Sequence, residues 1–168
     1  MMNEPALIDT NLLVYAFYPE VPQHRAARWL LDQAQEEKVS LCASSQVLAE
    51  FYAVVTNPKR VSPALDSKAA LQRIDEIRSL PGLILLPLPL DVVDRWMALI
   101  RRHPVTRQHI FDVQLVATML ANGVTRLYTF NVKDFLAFSE ITVIEPKVPE
   151  QAASSDNDNP ALDNNGTD

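Results

Sequence analysis

The sequence contains few of the residues that build thiol or imidazole sites. Its 168 residues include one cysteine, three histidines and three glycines. Because Cys42 has no second cysteine to pair with, an intramolecular disulfide and a cysteine-based zinc site are both excluded, and we expect Cys42 to fill a small space in the core. The histidines, His24, His103 and His109, lack the mutual spacing that predicts a compact zinc triad. Oxygen ligands are therefore the candidates for any metal site.

The chain also lacks a long uninterrupted apolar segment. Hydrophobic residues make up 48% of it, which suffices for one globular domain with a sizeable core. No apolar run approaches the roughly 20 residues that a membrane-spanning helix needs. The N-terminal stretch MMNEPA has neither a basic region nor a long apolar region, so it does not resemble a secretory signal. We expect a soluble cytoplasmic protein without a membrane partner.

Acidic charge is concentrated at the C-terminal end. Residues 150–168 contain five acidic and no basic residues, whereas residues 1–149 contain 16 acidic and 15 basic residues. The tail is rich in Asn, Asp, Ser and Pro, so it cannot bury enough apolar surface to offset the entropy of ordering. We predict one domain over residues 1–149, followed by an acidic, disordered tail over 150–168. A nearly neutral domain can bind nucleic acid through a local basic patch.

Short apolar runs with strand character alternate with segments of helical periodicity. Strands are predicted over 6–9, 39–44, 83–88, 126–130 and 141–146, and helices over 22–37, 45–56, 63–79, 91–103 and 110–122. Ser62 is expected to cap the third of these helices, with Pro63 at its first position. Strands that alternate with helices require crossover connections. The predicted fold is α/β, a three-layer α/β/α sandwich with a mostly parallel central sheet.

Four carboxylates stand beside these predicted elements in largely apolar stretches. Asp9 ends the first strand, Glu50 lies within an apolar helix, Asp112 begins a still more apolar helix, and Asp134 follows the fourth strand. Sites in parallel sheets lie outside the carboxyl ends of the strands. Buried carboxylates are costly, and neighbouring ones raise each other's pKa, but a divalent cation such as Mg²⁺ or Mn²⁺ offsets both effects. Taken alone, Asp9 also fits an ordinary helix N-cap.

Four segments occur in an order that is typical of a known family: ALIDTNLLVYAF, SSQVLAEFYAVVTNPKRV, HIFDVQLVATMLANGVTRLYTFNVKDF and ITVIEP. Together they resemble the successive motifs of the PIN-domain family, in particular of bacterial VapC-type toxins. The resemblance implies a PIN-like ribonuclease domain in which Asp9, Glu50 and Asp112 hold Mg²⁺, or Mn²⁺ in its place. The fourth acidic position is open between Asn131 and Asp134, and the predicted catalytic set includes Asp134.

Short polar residues near these carboxylates are candidates to orient them by hydrogen bonds. They are Thr10, Asn11, Thr129 and Asn131, the last of which would orient a metal-bound water. Ordinary turn or capping chemistry is the alternative for the first three.

Clusters of basic residues are the candidates for binding RNA phosphates. Arg101, Arg102 and Arg107 precede Asp112 in the sequence, and a solvated helix end is the less favoured alternative. Lys59 and Arg60, after the Asn57-Pro58 turn, form a second and weaker candidate.

The expected reaction is hydrolysis of an RNA phosphodiester by a metal-activated water. The resemblance also implies a cognate VapB-like antitoxin that blocks the carboxylates, and a homodimer. One alternative is a non-catalytic PIN-like module that binds RNA or a regulator. Phosphotransferases of the haloacid-dehalogenase type need an acid where Asn11 stands. A nuclease for structured DNA is expected to carry an added helical arch or a second domain.

Overall fold

The computed structural model describes residues 4–149 and has a central parallel sheet with helices on both faces. The strands are β1 (Ala6–Ile8), β2 (Leu41–Ala43), β3 (Leu83–Leu85), β4 (Arg126–Tyr128) and β5 (Thr142–Ile144). Their order in the sheet is β3-β2-β1-β4-β5, and every neighbouring pair is parallel. The predicted three-layer α/β/α architecture is confirmed.

Seven α-helices flank the sheet in the described part of the chain. They are α1 (Thr10–Phe17), α2 (His24–Gln35), α3 (Ser45–Val55), α4 (Ser67–Arg78), α5 (Val92–Arg102), α6 (Ile110–Ala121) and α7 (Val132–Phe135). A short 3₁₀ turn (Arg107–His109) precedes α6. No helix in this part of the chain is both long and apolar enough to cross a membrane. The predicted acidic tail, residues 150–168, lies outside the described residues, so its disorder stays a prediction.

The central strand positions the candidate site. All three residues of β1 are buried, and β1 pairs with β2 on one side and β4 on the other. Asp9 follows directly, and its backbone N–H donates to the carbonyl of Tyr128 at 2.9 Å, which extends the pairing with β4 by one residue. Asp9 therefore lies at the middle of the carboxyl edge of the sheet. Cys42 is buried within β2, as predicted, and burial raises the pKa of its thiol to about 12.

The helix predicted over 63–79 begins later than expected, at Ser67, so the assignments of Ser62 as its N-cap and Pro63 as its first residue were wrong. Asp66 caps α4 instead, because its carboxylate accepts a hydrogen bond from the backbone N–H of Ala69 at 2.8 Å. The residues before it are held by tertiary contacts, since the hydroxyl of Tyr18 donates to the carbonyl of Pro63 at 3.2 Å. The Asp66 cap and the contact from Tyr18 together account for the later start of α4.

We predict that the two candidate caps of α4 differ in their effect on stability. Asp66→Ala should lower the free energy of unfolding by about 1 kcal/mol, because it leaves a helix N–H without its acceptor. Ser62→Ala, at an exposed residue outside the helix, should change it by less than about 0.5 kcal/mol. Urea unfolding of both variants measures the difference, and equal losses would contradict the assignment of the cap.

Candidate active site

The four predicted carboxylates line one cleft at the carboxyl edge of the sheet. The cleft has a volume of about 570 Å³. Its walls include Asp9, Glu50, Asp112 and Asp134, together with Thr10, Asn11 and Asn131. The structure thus brings together acidic residues that are far apart in the sequence, while their catalytic roles stay predictions.

Each carboxylate owes its position to a different element. Asp9 is the N-cap of α1, Glu50 lies in the middle of α3, and Asp112 lies in the first turn of α6. The partial positive charge at the start of α6 favours a carboxylate there. Asp134 lies on the short helix α7 and is more exposed than the other three. The cleft is therefore bounded by four separate helices that follow or cover the central strands.

Asp9 is held in place by three hydrogen-bond donors. Its Oδ1 accepts from the backbone N–H of Thr10 at 2.6 Å, and its Oδ2 accepts from Asn11 Nδ2 at 2.7 Å and from the Thr129 hydroxyl at 2.6 Å. The buried Thr129 hydroxyl itself accepts from Asn11 Nδ2 and from the backbone N–H of Asn131, both at 3.0 Å. The contacts predicted for Thr10, Asn11 and Thr129 are therefore present. Asn131 contributes through its main chain.

Glu50 is joined to Asp9 through Thr10. The Thr10 hydroxyl donates to Glu50 Oε2 at 3.2 Å, while Gln46 Nε2 donates to Glu50 Oε1 at 2.9 Å. Gln46 also donates to the carbonyl of Phe111 at 3.0 Å, which connects α3 to the start of α6. Gln46 was not singled out from the sequence, although its spacing of four residues from Glu50 on one helix face was the available signal.

Burial raises the pKa of Asp9 to about 6, from an ordinary value of 3.8. This value is the net result: burial is the largest cause, the hydrogen bonds from Thr129 and Thr10 lower the pKa, and the negative charges of Glu50 and Asp112 add to the rise. Because the rise persists despite these donors, the position of Asp9 favours a neutral carboxyl group or a cation beside an ionised one.

Asp112 shows the same effect to a smaller extent. Burial raises its pKa, and the charges of Asp134 and Glu50 add to the rise. His109 opposes it through a hydrogen bond between its Nδ1 and Asp112 Oδ2 at 3.3 Å. Asp112 and Asp134 are thus close enough for their charges to interact.

The donor set fits a hydrated divalent cation. The residues that line the cleft offer carboxylate, hydroxyl and amide oxygens, and none of them is a histidine or a cysteine. No three His, Cys, Asp or Glu side chains among residues 4–149 form a group that could hold a metal ion. Mg²⁺ typically binds through one or two carboxylates and keeps several waters, so it does not need a closed cage of three protein carboxylates.

The predicted RNA-binding arginines lie outside the cleft. Arg101, Arg102 and Arg107 are exposed, and none of them is among the residues that line it. Arg102 is paired with Glu140, with Nη1 at 2.7 Å from Oε1. Arg60, the weaker sequence candidate, does line the cleft.

We predict that ionisation of Asp9 destabilises the protein when no divalent cation is present. The folded protein keeps the Asp9 proton up to about pH 6, whereas the unfolded chain loses it near pH 3.8, so stability falls as the pH rises between these values. The penalty grows by about 1.4 kcal/mol for each unit of pKa difference.

Urea unfolding in EDTA across this pH range measures the effect, with Asp9→Asn as the comparison. The variant has no charge at this position, so its free energy of unfolding should gain on that of the wild type as the pH rises. A constant difference between the two proteins would show that the pKa of Asp9 is not raised in the folded state.

The chain matches the PIN domain family model over residues 6–141. It is 30% identical over 140 residues to the protein named ribonuclease VapC24 of Mycobacterium tuberculosis, which covers 83% of this chain and 94% of that protein. Ribonuclease VapC43 of the same organism is 30% identical over 123 residues, covering 71% of this chain and 82% of that protein.

Solved structures with the same fold extend this similarity. The sarcin-ricin loop cleaving toxin VapC20 of Mycobacterium tuberculosis superimposes with a TM-score of 0.62 at 17% identity, covering 84% of this chain and 99% of that one. VapBC2 from Rickettsia felis, bound to a DNA fragment from its promoter, gives 0.61 at 16% identity, covering 85% and 99%. The PIN domain model matches most of this chain, and the chain's conspicuous carboxylates line one cleft at the carboxyl edge of the sheet. This chain therefore belongs to the PIN-domain family.

Proposed function

We propose that this protein is a metal-dependent endoribonuclease that hydrolyses RNA phosphodiesters and acts as the toxin of a toxin-antitoxin pair. The observation that carries the proposal is the cleft, in which carboxylates from four helices face one space. The relatives that match most of the chain are named ribonucleases, which supports RNA as the substrate.

Mg²⁺ is the proposed cofactor, with Mn²⁺ as a substitute. Asp9 and Asp112 would hold it directly, and Glu50 would hold it through a bound water. When bound, the ion supplies positive charge that activates a water and stabilises charge on the phosphate. Its binding to Asp9 competes with a proton, because burial raises the pKa of that carboxyl to about 6. Activity should therefore fall as the pH drops below this value.

The remaining residues of the cleft orient the reacting groups. Thr129 and Asn11 fix the plane of the Asp9 carboxylate through Oδ2. Glu50 accepts hydrogen bonds from Thr10 and Gln46 at its two oxygens, and in this proposal it would orient the attacking water. Asp134, the most exposed of the four, is the proposed fourth acidic member of the catalytic set.

We predict that Asp9→Asn and Asp112→Asn each lower the rate of RNA cleavage in Mg²⁺ by about 100-fold or more, because each removes a negative charge from the proposed ion site. Asp75→Asn is the matched control, since Asp75 is an exposed residue on α4 outside the cleft. Cleavage of a labelled RNA, with DNA of the same sequence alongside, measures the effect. Binding of RNA by the wild type without cleavage in Mg²⁺ or Mn²⁺ would favour the non-catalytic alternative.

A VapB-like antitoxin and a second copy of the chain are the proposed protein partners. Several solved structures of the same fold are toxin-antitoxin complexes, including one from Klebsiella pneumoniae with a TM-score of 0.55 at 20% identity. The open cleft gives an antitoxin segment access to the carboxylates. The proposed location is the cytoplasm, where such an RNA substrate and partner occur.

We predict that expression of the chain alone arrests bacterial growth and produces RNA with discrete new ends. Asp112→Asn should remove the arrest at equal protein level, because the arrest depends on cleavage. Co-expression of the small DNA-binding protein encoded directly upstream, where one is present, should restore growth. Unimpaired growth with abundant wild-type protein, or equal toxicity of the variant, would contradict the assignment as a toxin.

A further inference from the structure

The wall of the cleft extends beyond the four carboxylates and includes one basic residue. Its further walls include Tyr15, Tyr18, Val54, Arg60 and Ser62. Among the described residues that line the cleft, Arg60 is the single Lys or Arg, whereas five are acidic. The basic charge on the described part of the cleft wall therefore comes from Arg60 alone.

A turn after α3 fixes the backbone around Arg60. The carbonyl of Asn57 accepts from the backbone N–H groups of Arg60 at 2.9 Å and of Val61 at 3.2 Å. The side-chain oxygen of Asn57 accepts from the N–H of Lys59 at 3.0 Å, so the side chain also closes the turn. Arg60 thus projects from an ordered turn.

Two further contacts hold this segment against the body of the domain. The backbone N–H of Leu65 donates to the carbonyl of Val55 at the end of α3, at 2.8 Å. The hydroxyl of Tyr18, at the end of α1, donates to the carbonyl of Pro63 at 3.2 Å. The segment that carries Arg60 is therefore attached to the ends of α1, which Asp9 caps, and of α3, which contains Glu50.

The guanidinium of Arg60 is available to a ligand. It forms no ion pair with any residue between 4 and 149, although Glu20 lines the same cleft. Other arginines lie 2.7 Å from a carboxylate, namely Arg28, Arg73, Arg95 and Arg102. An unpaired guanidinium presents a planar set of N–H donors that matches two oxygens of a phosphate.

We propose that Arg60 binds a backbone phosphate of the RNA strand beside the one that is cut. The inference rests on the proposed ribonuclease function and adds the path of the substrate along the cleft. The acidic side chains of the cleft repel an RNA strand, so a cation on the same wall holds the strand in register over the carboxylates. Arg60 is a positioning residue that does not touch the reacting atoms.

RNA binding provides a test that does not depend on cleavage. Fluorescence anisotropy follows a labelled single-stranded oligoribonucleotide binding to protein that carries Asp112→Asn, in Mg²⁺, over a series of salt concentrations. Arg60→Ala should weaken binding by about tenfold, since a hydrogen-bonded charge is lost. It should also reduce the slope of log affinity against log salt by about 0.7, the value for one phosphate contact with a single strand.

Two further variants separate the phosphate contact from general charge. Lys59→Ala removes the same charge one residue away, outside the cleft, and should change affinity by less than about twofold at physiological salt, where exposed charges are screened. Arg60→Lys keeps the point charge and should restore the salt slope with only part of the affinity. Equal effects of Arg60→Ala and Lys59→Ala, or an unchanged slope in Arg60→Ala, would overturn the proposal.

Kinetics of the otherwise unmodified protein complete the test. Arg60→Ala should raise KM for RNA and leave kcat nearly unchanged, because the contact is the same before and during the reaction. Hydrolysis of bis(p-nitrophenyl) phosphate, which has a single phosphate, should be unaffected. The protein could bind RNA with an Arg60-dependent salt slope and yet never cut it. That result would contradict the ribonuclease function and still support the phosphate contact of Arg60. A wild type that binds no RNA would overturn both.

Discussion

A partly buried carboxylate at the end of the central strand is the constraint on which the site depends. Asp9 keeps a raised pKa even though three donors contact it, so its surroundings are arranged around a charge that burial disfavours. Two of the donors come from the start of α1, and the third, Thr129, follows β4. Pairing of β1 with β4 therefore builds the site as well as the sheet, because it brings Thr129 to Asp9.

The alternation of strands and helices was predictable from the sequence because the local spacing of apolar residues indicates each element. The five strands and the longer helices lie where the apolar patterns placed them. The start of α4 was misplaced, since Asp66 competes with Ser62 as a cap and Tyr18 holds the preceding residues from another helix. The helix α7 was missed because four residues are too few to show a helical period.

The carboxylates of the site were also readable from the sequence, because each follows a strand or interrupts an apolar helix. Their partners were harder to identify. The sequence around Arg102 does not show that it pairs with Glu140, which lies far along the chain. This ion pair neutralises a residue that was predicted to bind RNA. Similarly, only the fold shows that the turn carrying Arg60 packs beside Tyr18 and faces the cleft. Sequence patterns identify which residues are chemically unusual, whereas tertiary contacts decide which charges remain available.

The contact between Asn131 and Thr129 has a consequence for how this protein can vary. It is made by the main-chain N–H of Asn131, at 3.0 Å from the Thr129 hydroxyl, so it does not depend on which side chain occupies position 131. An amide, a carboxylate or a hydroxyl at this position preserves the support of Asp9 equally well. Substitutions at position 131 can therefore change the charge of the cleft without disturbing the hydrogen bonds that orient Asp9.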